Sequence, residues 1–266
     1  MLVLNDRIIN VAEKRMLHKD TNGNVIEDIP GMIARVADYL GDNEEEKKEF
    51  AALMANNYFF PNSPCLVNAG IPDRPNMLSA CFVLEVPDSI EGIYDKLKES
   101  ALIFKTGGGV GYNFSKLRPA NSIVNSTKGV ASGPVSFMHI FDASVEGIKQ
   151  GGVRRGATMG VLRVDHPDIE EFIQAKIDGA CLQNINISVA VTEDFMNALI
   201  ARKDYELIDP STKRTVGKLS AKKVFDLIVD CAWRTGDPGL LFIDRINQHN
   251  PLKGPTNEIC ATNPCK

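Results

Sequence analysis

From residue 79 onward, short apolar runs of strand length alternate with segments of helical period. That alternation confines the chain to layered α/β architectures. Residues 79–86 form the first apolar run. Ile90, Ile93, Leu97 and Ala101 follow at helical spacing behind Asp88-Ser89-Ile90-Glu91, which reads as a capping box. Strands are expected at 110–114, 159–164 and 185–191, and helices at 134–148, 167–176 and 193–201. Residues 205–217 resemble a hairpin, Ser220 caps a helix reaching Trp233, and 239–243 reads as a short buried strand.

The first sixty residues carry the helical period alone. Met32, Val36 and Leu40 share one face. A further helix starts at Asp42 or Asn43 as cap, continues through acidic Glu44 to Glu46, and ends near Tyr58 before Pro61. Residues 61–76 are rich in turn formers and separate the two patterns. The organisation expected is a helical domain over 1–70 and an α/β domain over 71–266.

Several classes are excluded. A net charge of −4 gives no basic excess for a broad nucleic-acid surface. No segment reaches the ~20 apolar residues that cross a bilayer, and the start lacks the charged-then-apolar plan of a signal peptide, so a cytoplasmic protein is expected. The six cysteines, at 65, 81, 181, 231, 260 and 265, then stay reduced; none forms a C-x-x-C pair, so a structural zinc site is not expected. Cys181 and Cys231 lie among apolar residues and read as small core side chains. Cys65 follows Asn62-Ser63-Pro64 in a turn and is assigned no chemistry.

Two loops stand out. Gly107-Gly108-Gly109-Val110-Gly111 follows a helix and precedes a strand, the reverse of the order that a P-loop or a dinucleotide fingerprint needs. Its bland reading is a glycine-rich turn; its functional reading is bare backbone on which a ligand lies, with amides available to donate. Lys149-Gln150-Gly151-Gly152-Val153-Arg154-Arg155-Gly156 is either a solvated turn or a mobile loop whose planar groups suit base edges and phosphates. Asp88, Lys105 and Arg118 read by themselves as surface charges or, for Asp88, a helix cap.

Leu78-Ser79-Ala80-Cys81-Phe82, these two loops and the terminal Asn263-Pro264-Cys265-Lys266 together resemble the large, catalytic subunit of ribonucleotide reductase, over essentially the whole chain. The short lead and Val11-Ala12-Glu13-Lys14-Arg15 resemble the adenosylcobalamin-dependent members. The resemblance implies a helical amino-terminal region followed by the first half of a ten-stranded α/β barrel. It also implies thiyl-radical reduction of ribonucleotides to 2′-deoxyribonucleotides. In that scheme Cys265 carries the radical, Cys81 is the reductant and Asn263 bonds the substrate hydroxyls. Ser63, Ala80 and Gly108 hold the nucleotide. A deoxynucleoside triphosphate effector falls to Asp88, Lys105 and Arg118, and Lys149, Gln150 and Arg154 form the loop that relays effector identity. The implied partners are a thioredoxin-like reductant and a second copy in a homodimer.

Where the family continues Asn-Pro-Cys with Gly and then Glu, its base for the 3′-hydroxyl, this sequence has Lys266. The expectation is a reductase truncated or split after the radical cysteine, inactive without its carboxy-terminal portion, or an extein broken by an intein at Cys265-Lys266. The alternative is a non-catalytic deoxynucleotide-binding fragment.

Overall fold

The computed structural model describes residues 5–72, 77–123, 128–148, 157–179, 181–252, 254 and 257–264. The chain divides into two compact units, Met1–Ala80 and Cys81–Lys266.

The first unit is helical: α1 (Asp6–Arg15), α2 (Ile29–Leu40), α3 (Glu44–Ala55) and α4 (Ser63–Asn68). Each starts on a side-chain cap. Asn5, Asp28, Asn43 and Asn62 accept backbone N–H groups that the first turn would leave orphaned. Of the two cap candidates for α3, Asn43 takes the position, and the acidic first turn complements the helix dipole. The helix stops at Ala55, short of the expected Tyr58, because Asn57 turns left-handed with φ 58°. The turn expected at Cys65 is the first turn of α4, and Cys65 is buried in it. The buried stripe of α2, Met32, Ile33, Val36 and Ala37, packs with Ala12, Met54, Cys65 and Leu66. Glu27 and Arg35 pair at 2.7 Å inside this unit, and the same guanidinium donates to the carbonyls of Leu66 and Ala69.

The second unit follows the strand–helix alternation. In chain order it contains β1 (Cys81–Glu85), α5 (Ile90–Lys105), β2 (Gly109–Asn113), α6 (Gly133–Gly147), β3 (Thr158–Arg163) and α7 (Ile169–Gln174). Then come β4 (Ile185–Val191), α8 (Glu193–Ile200), the antiparallel hairpin β5 (Asp204–Ile208) and β6 (Thr215–Ser220), α9 (Ala221–Thr235), β7 (Gly239–Phe242) and α10 (Ile243–Gln248). Five strands pair in the order β1-β2-β3-β4-β7, every pair parallel. This is the expected α/β class.

Helices cover one face. Val110, Tyr112 and Phe114 are fully buried there with Met138 and Phe141, and the Tyr112 and Phe141 rings meet edge-on at 4.6 Å. Each such ring contributes roughly 1.5–3 kcal/mol by leaving water. The opposite face carries a smaller cluster of Met159, Val161, Ala190, Ile243 and Ala261.

Three local expectations are corrected. Ser89, not Asp88, caps α5, accepting the Gly92 N–H at 3.1 Å. β7 is only partly buried, since it pairs with β4 on one side and no strand among the described residues adjoins its other. Cys231 is buried as expected, but Cys181 is exposed. No helix among the described residues is long and apolar enough to cross a membrane.

Candidate functional site

Cys81 opens β1, and its register partner on β2 is Gly109. Strand side chains alternate between faces. Cys81, Val83 and Glu85 therefore share a face with Gly109, Gly111 and Asn113, while Val110 and Tyr112 point into the helical layer. Along β2 one face is filled with large side chains and the other is bare for two of its three positions.

Residues 257–264 run across that bare face. Asn247 on α10 clamps their start, donating from Nδ2 to the Ile259 carbonyl and accepting the Ile259 N–H at Oδ1, both at 2.8 Å. The Cys260 thiol meets the Asn113 side chain. Burial pushes this thiol up from its ordinary pKa, and the Glu85 charge adds to the effect. A Cβ placed on Gly111 would fall 2.9 Å from the Thr262 carbonyl carbon and nearer still to its oxygen. One on Gly109 would fall 2.7 Å from Pro264 Cγ. Cys260 at Asn113, Thr262 at Gly111 and Pro264 at Gly109 describe a segment descending antiparallel to β2, on top of the sheet. Pro264 thus lies over Gly109, whose register partner on the neighbouring strand is Cys81. Cys265 itself lies outside the described residues.

The glycine run answers several separate demands. Gly107 has φ +89°, the left-handed residue that ends α5; its N–H donates to Phe104 O and that of Gly108 to Ile103 O, the paired bonds of a Schellman motif. Gly108 is packed, since a Cβ there would lie 2.6 Å from Ile103 Cγ2. Gly109 and Gly111 make room for 262–264. The amides expected to await a ligand at Gly107 and Gly108 are therefore engaged within the chain. Ala80 directly precedes β1. Ser63 belongs to the first unit, at the start of α4, where it lines a cavity of about 550 Å³ with Met32, Phe60 and Leu66.

A second cluster forms around Asp88. Arg118 Nε donates to its two oxygens at 3.1 and 2.9 Å, and Nη2 lies 2.9 Å from Oδ2. The Arg118 backbone N–H reaches Oδ1 at 3.1 Å, and Ser211 Oγ reaches Oδ2 at 3.4 Å. The pair lines a cavity of about 600 Å³ with Ser89, Ile93, Ser132, Gly133 and Phe137. A guanidinium has five N–H donors, so this pairing leaves Arg118 able to take a further oxyanion. Lys105 does not join them. It ends α5, whose start adjoins Asp88, and a 16-residue helix is ~24 Å long. Lys149, Gln150 and Arg154, between α6 and β3, lie outside the described residues.

The sequence reading misses Asn247, because α10 follows β7 without a break, its first residue Ile243 falls in the expected strand, and no helix is expected after it. It also missed His166, Asp168 and Ser211. The compact run His166-Pro167-Asp168 just after a strand was the available signal for the first two.

Comparison with known proteins bears on the same segments. The family description "Ribonucleotide reductase, barrel domain" matches residues 79–266, and "Ribonucleotide reductase, all-alpha domain" matches residues 4–74. A vitamin B12-dependent ribonucleoside-diphosphate reductase of Thermoplasma acidophilum is 53% identical over 81% of this chain and 28% of its own length. One of Mycobacterium tuberculosis is 40% identical over 97% of this chain and 38% of its own. A putative ribonucleoside-diphosphate reductase large subunit of Frog virus 3 is 29% identical over 85% and 40%. The chain spans less than half the length of these curated relatives. With a helical unit and a parallel α/β unit each matched in turn, the chain belongs to the ribonucleotide reductase large-subunit family.

Proposed function

We propose that this chain supplies one side of the active site of a cytoplasmic, vitamin B12-dependent ribonucleoside-diphosphate reductase, together with a deoxynucleotide effector site. The observation that carries the proposal is the threading of 262–264 over Gly109 and Gly111, which seats Asn263-Pro264 on the strand next to that of Cys81. A tripeptide on a free tail would carry little weight. Here two strand residues lack side chains so that it can pass.

In the proposed reaction the Cys265 thiyl radical takes the 3′ hydrogen of the ribose and becomes a thiol. The 2′-hydroxyl, protonated by a cysteine, leaves as water. Cys81 and a second thiol supply two electrons and end as a disulfide, and the 3′ hydrogen returns from Cys265, restoring its radical. Asn263 orients the ribose hydroxyls, and Ser63, Ala80 and Gly108 hold the rest of the nucleotide. The second thiol and the base for the 3′-hydroxyl are placed on a complementary carboxy-terminal portion, and a thioredoxin-like reductant reopens the disulfide. Cobalamin, when bound, supplies a carbon-centred radical. We assign it no contact residues in this chain, and no step above runs through it.

Effector binding is proposed at Asp88 and Arg118 in a homodimer, with Lys149, Gln150 and Arg154 relaying effector identity. Lys105 enters this site only if a second copy brings it there, since its own α5 holds it away. The cavity beside Asp88 and Arg118 also supports the second reading, a deoxynucleotide-binding module without turnover.

Reconstitution with the complementary portion separates the two. Deoxynucleotide formation that is lost in Cys81→Ser and Cys265→Ser supports the enzyme; full turnover by Cys81→Ser overturns its assignment. For the effector site, Arg118→Ala removes a charge-assisted phosphate contact of ~1.5–3 kcal/mol, roughly ten- to a hundredfold in calorimetric affinity. Unchanged affinity in a folded variant refutes that assignment.

A further inference from the structure

The geometry points to His166 as the positioning residue of the Asp88–Arg118 pair, a buried ring against which the segments around that pair are set. This inference rests on the effector reading for its biological meaning, but its geometry stands apart from any ligand.

His166 is 2% exposed, in the turn after β3. Its Nδ1 accepts the Asp168 N–H at 3.0 Å. An acceptor at Nδ1 makes Nε2 the protonated nitrogen of a neutral ring. Nε2–H then donates to the Leu117 carbonyl at 2.8 Å. Leu117 is the residue before Arg118, so the ring holds the peptide that joins them. The other end of the same short segment is held through Asp168, whose Oδ2 accepts the Ala120 N–H at 2.8 Å. Arg118 is thereby fixed from both sides, at Leu117 by the imidazole itself and at Ala120 by the carboxylate of Asp168, whose backbone N–H the imidazole holds.

The same neighbourhood reaches the other walls of the cavity. Asp168 Oδ2 lies so close to Gly133 that a Cβ there would fall 2.7 Å away, and Gly133, with φ +80°, opens α6 on the cavity wall. Asp209 faces His166 electrostatically and holds the turn between β5 and β6, accepting the N–H groups of Ser211 and Thr212 at 2.8 Å. Ser211 in that turn is the residue that reaches Asp88. Asp165 also faces the ring, and its carbonyl accepts the Ile208 N–H at 2.7 Å. His166 makes no contact with the cavity and is not a ligand group. It acts through Arg118.

Two substitutions divide its bonds. Gln places an N–H donor where Nε2–H stands and keeps the Leu117 link; Asn places an acceptor where Nδ1 stands and keeps the Asp168 link. The first readout needs no ligand: hydrogen exchange of the Arg118 Nε–H, followed by NMR, which pairing with Asp88 protects. The second is calorimetric titration with deoxythymidine triphosphate. His166→Asn is expected to exchange Arg118 Nε–H roughly tenfold faster and to bind the nucleotide roughly tenfold more weakly than the parent, and His166→Gln to recover most of both. Loss of one hydrogen bond in each variant makes their melting temperatures similar, so a purely structural role predicts no such ranking. Unchanged Arg118 Nε–H exchange in His166→Asn overturns the inference. Absence of nucleotide binding in the parent, with the exchange ranking intact, overturns the effector reading and leaves His166 as the residue that sets the pair.

Discussion

Gly111→Ala tests whether the terminal segment is threaded over β2. The added methyl cannot be absorbed by a side-chain rotation, because the atoms it meets are the Thr262 carbonyl and the Asn263 Cα, all backbone. Nor can it turn away, since Tyr112 and Val110 fix the strand in the helical layer with no exposure. The segment must lift. A small shift costs the ~1–3 kcal/mol usual for overpacking. Full release costs more: Ala261 and Ile259 leave the cluster of Met159, Val161, Ala190 and Ile243, and the two Asn247 bonds, at about 1 kcal/mol each, are lost. The smaller shift is therefore favoured, and a loss of ~2 kcal/mol is expected in urea denaturation followed by circular dichroism. A second readout is local. Cys260 is half-buried with its thiol pKa raised by that burial, so lifting the segment should speed its alkylation, located among the six cysteines by peptide mass spectrometry. Asn247→Leu should speed the same cysteine without touching β2. Gly147→Ala is the control: its Cβ meets nothing within 4 Å at the end of α6, and the change should stabilise by ~0.5–1 kcal/mol. An unchanged urea midpoint and unchanged Cys260 labelling in Gly111→Ala would refute the threading.

Other outcomes follow from buried polar groups. The buried Tyr112 hydroxyl has Ser100 beside it but no well-aligned hydrogen bond among the described residues, the Ser100 hydroxyl donating instead to the Leu97 carbonyl. Burial drives the Tyr112 pKa upward against the Ser100 contact, so Tyr112→Phe should be neutral or stabilising by up to ~1 kcal/mol in the same denaturation assay. Burial lowers the His166 pKa beneath the ordinary 6.5, outweighing the Leu117 carbonyl and the charges of Asp168, Asp165 and Asp209. The unfolded chain therefore takes up this proton first: stability is full above 6.5, falls as the pH drops through it, and levels beneath the folded value. Titrating the urea midpoint downward from pH 7.5, about one unit above the ordinary histidine value, should show a steeper fall in the parent than in His166→Gln.

Much of the architecture was legible because the alternating pattern is a property of each strand's two faces. Strands β2, β3 and β4 fall within a residue or two of their expected positions, since β3 and β4 are apolar enough to be buried on both sides and β2 sends Val110 and Tyr112 into the core. β7 was misjudged for a physical reason: an apolar run says that a segment prefers burial, not that a neighbour exists to bury it. α10 was missed because six residues starting directly at a strand's end carry too little period to register. The separation of Lys105 from Asp88 within one copy was legible too. The sequence reading already put a helix between Asp88 and Lys105, and 1.5 Å per residue separates its ends beyond the reach of any side chain.

The glycine run was legible in position but not in cause. Gly-Gly-Gly-Val-Gly read as one unit, either a turn or room for a ligand, whereas chain reversal sets Gly107, core packing sets Gly108, and an overlying segment of the same chain sets Gly109 and Gly111. One pattern could have separated them. Gly109, Gly111 and Asn113 alternate with Val110, Tyr112 and Phe114, so one face of this strand is as large as residues allow and the other nearly empty. An empty face inside a sheet cannot remain so, because exposed strand backbone in the interior of a fold would be poorly packed and unsolvated. Something must lie on it. The terminal segment offers Thr-Asn-Pro, whose proline gives up its amide donor, so it needs one partner fewer where it passes over a strand already bonded on both sides. Glycine beneath and proline above are therefore two halves of one requirement, and that requirement is what seats Asn263 and Pro264 over Gly111 and Gly109.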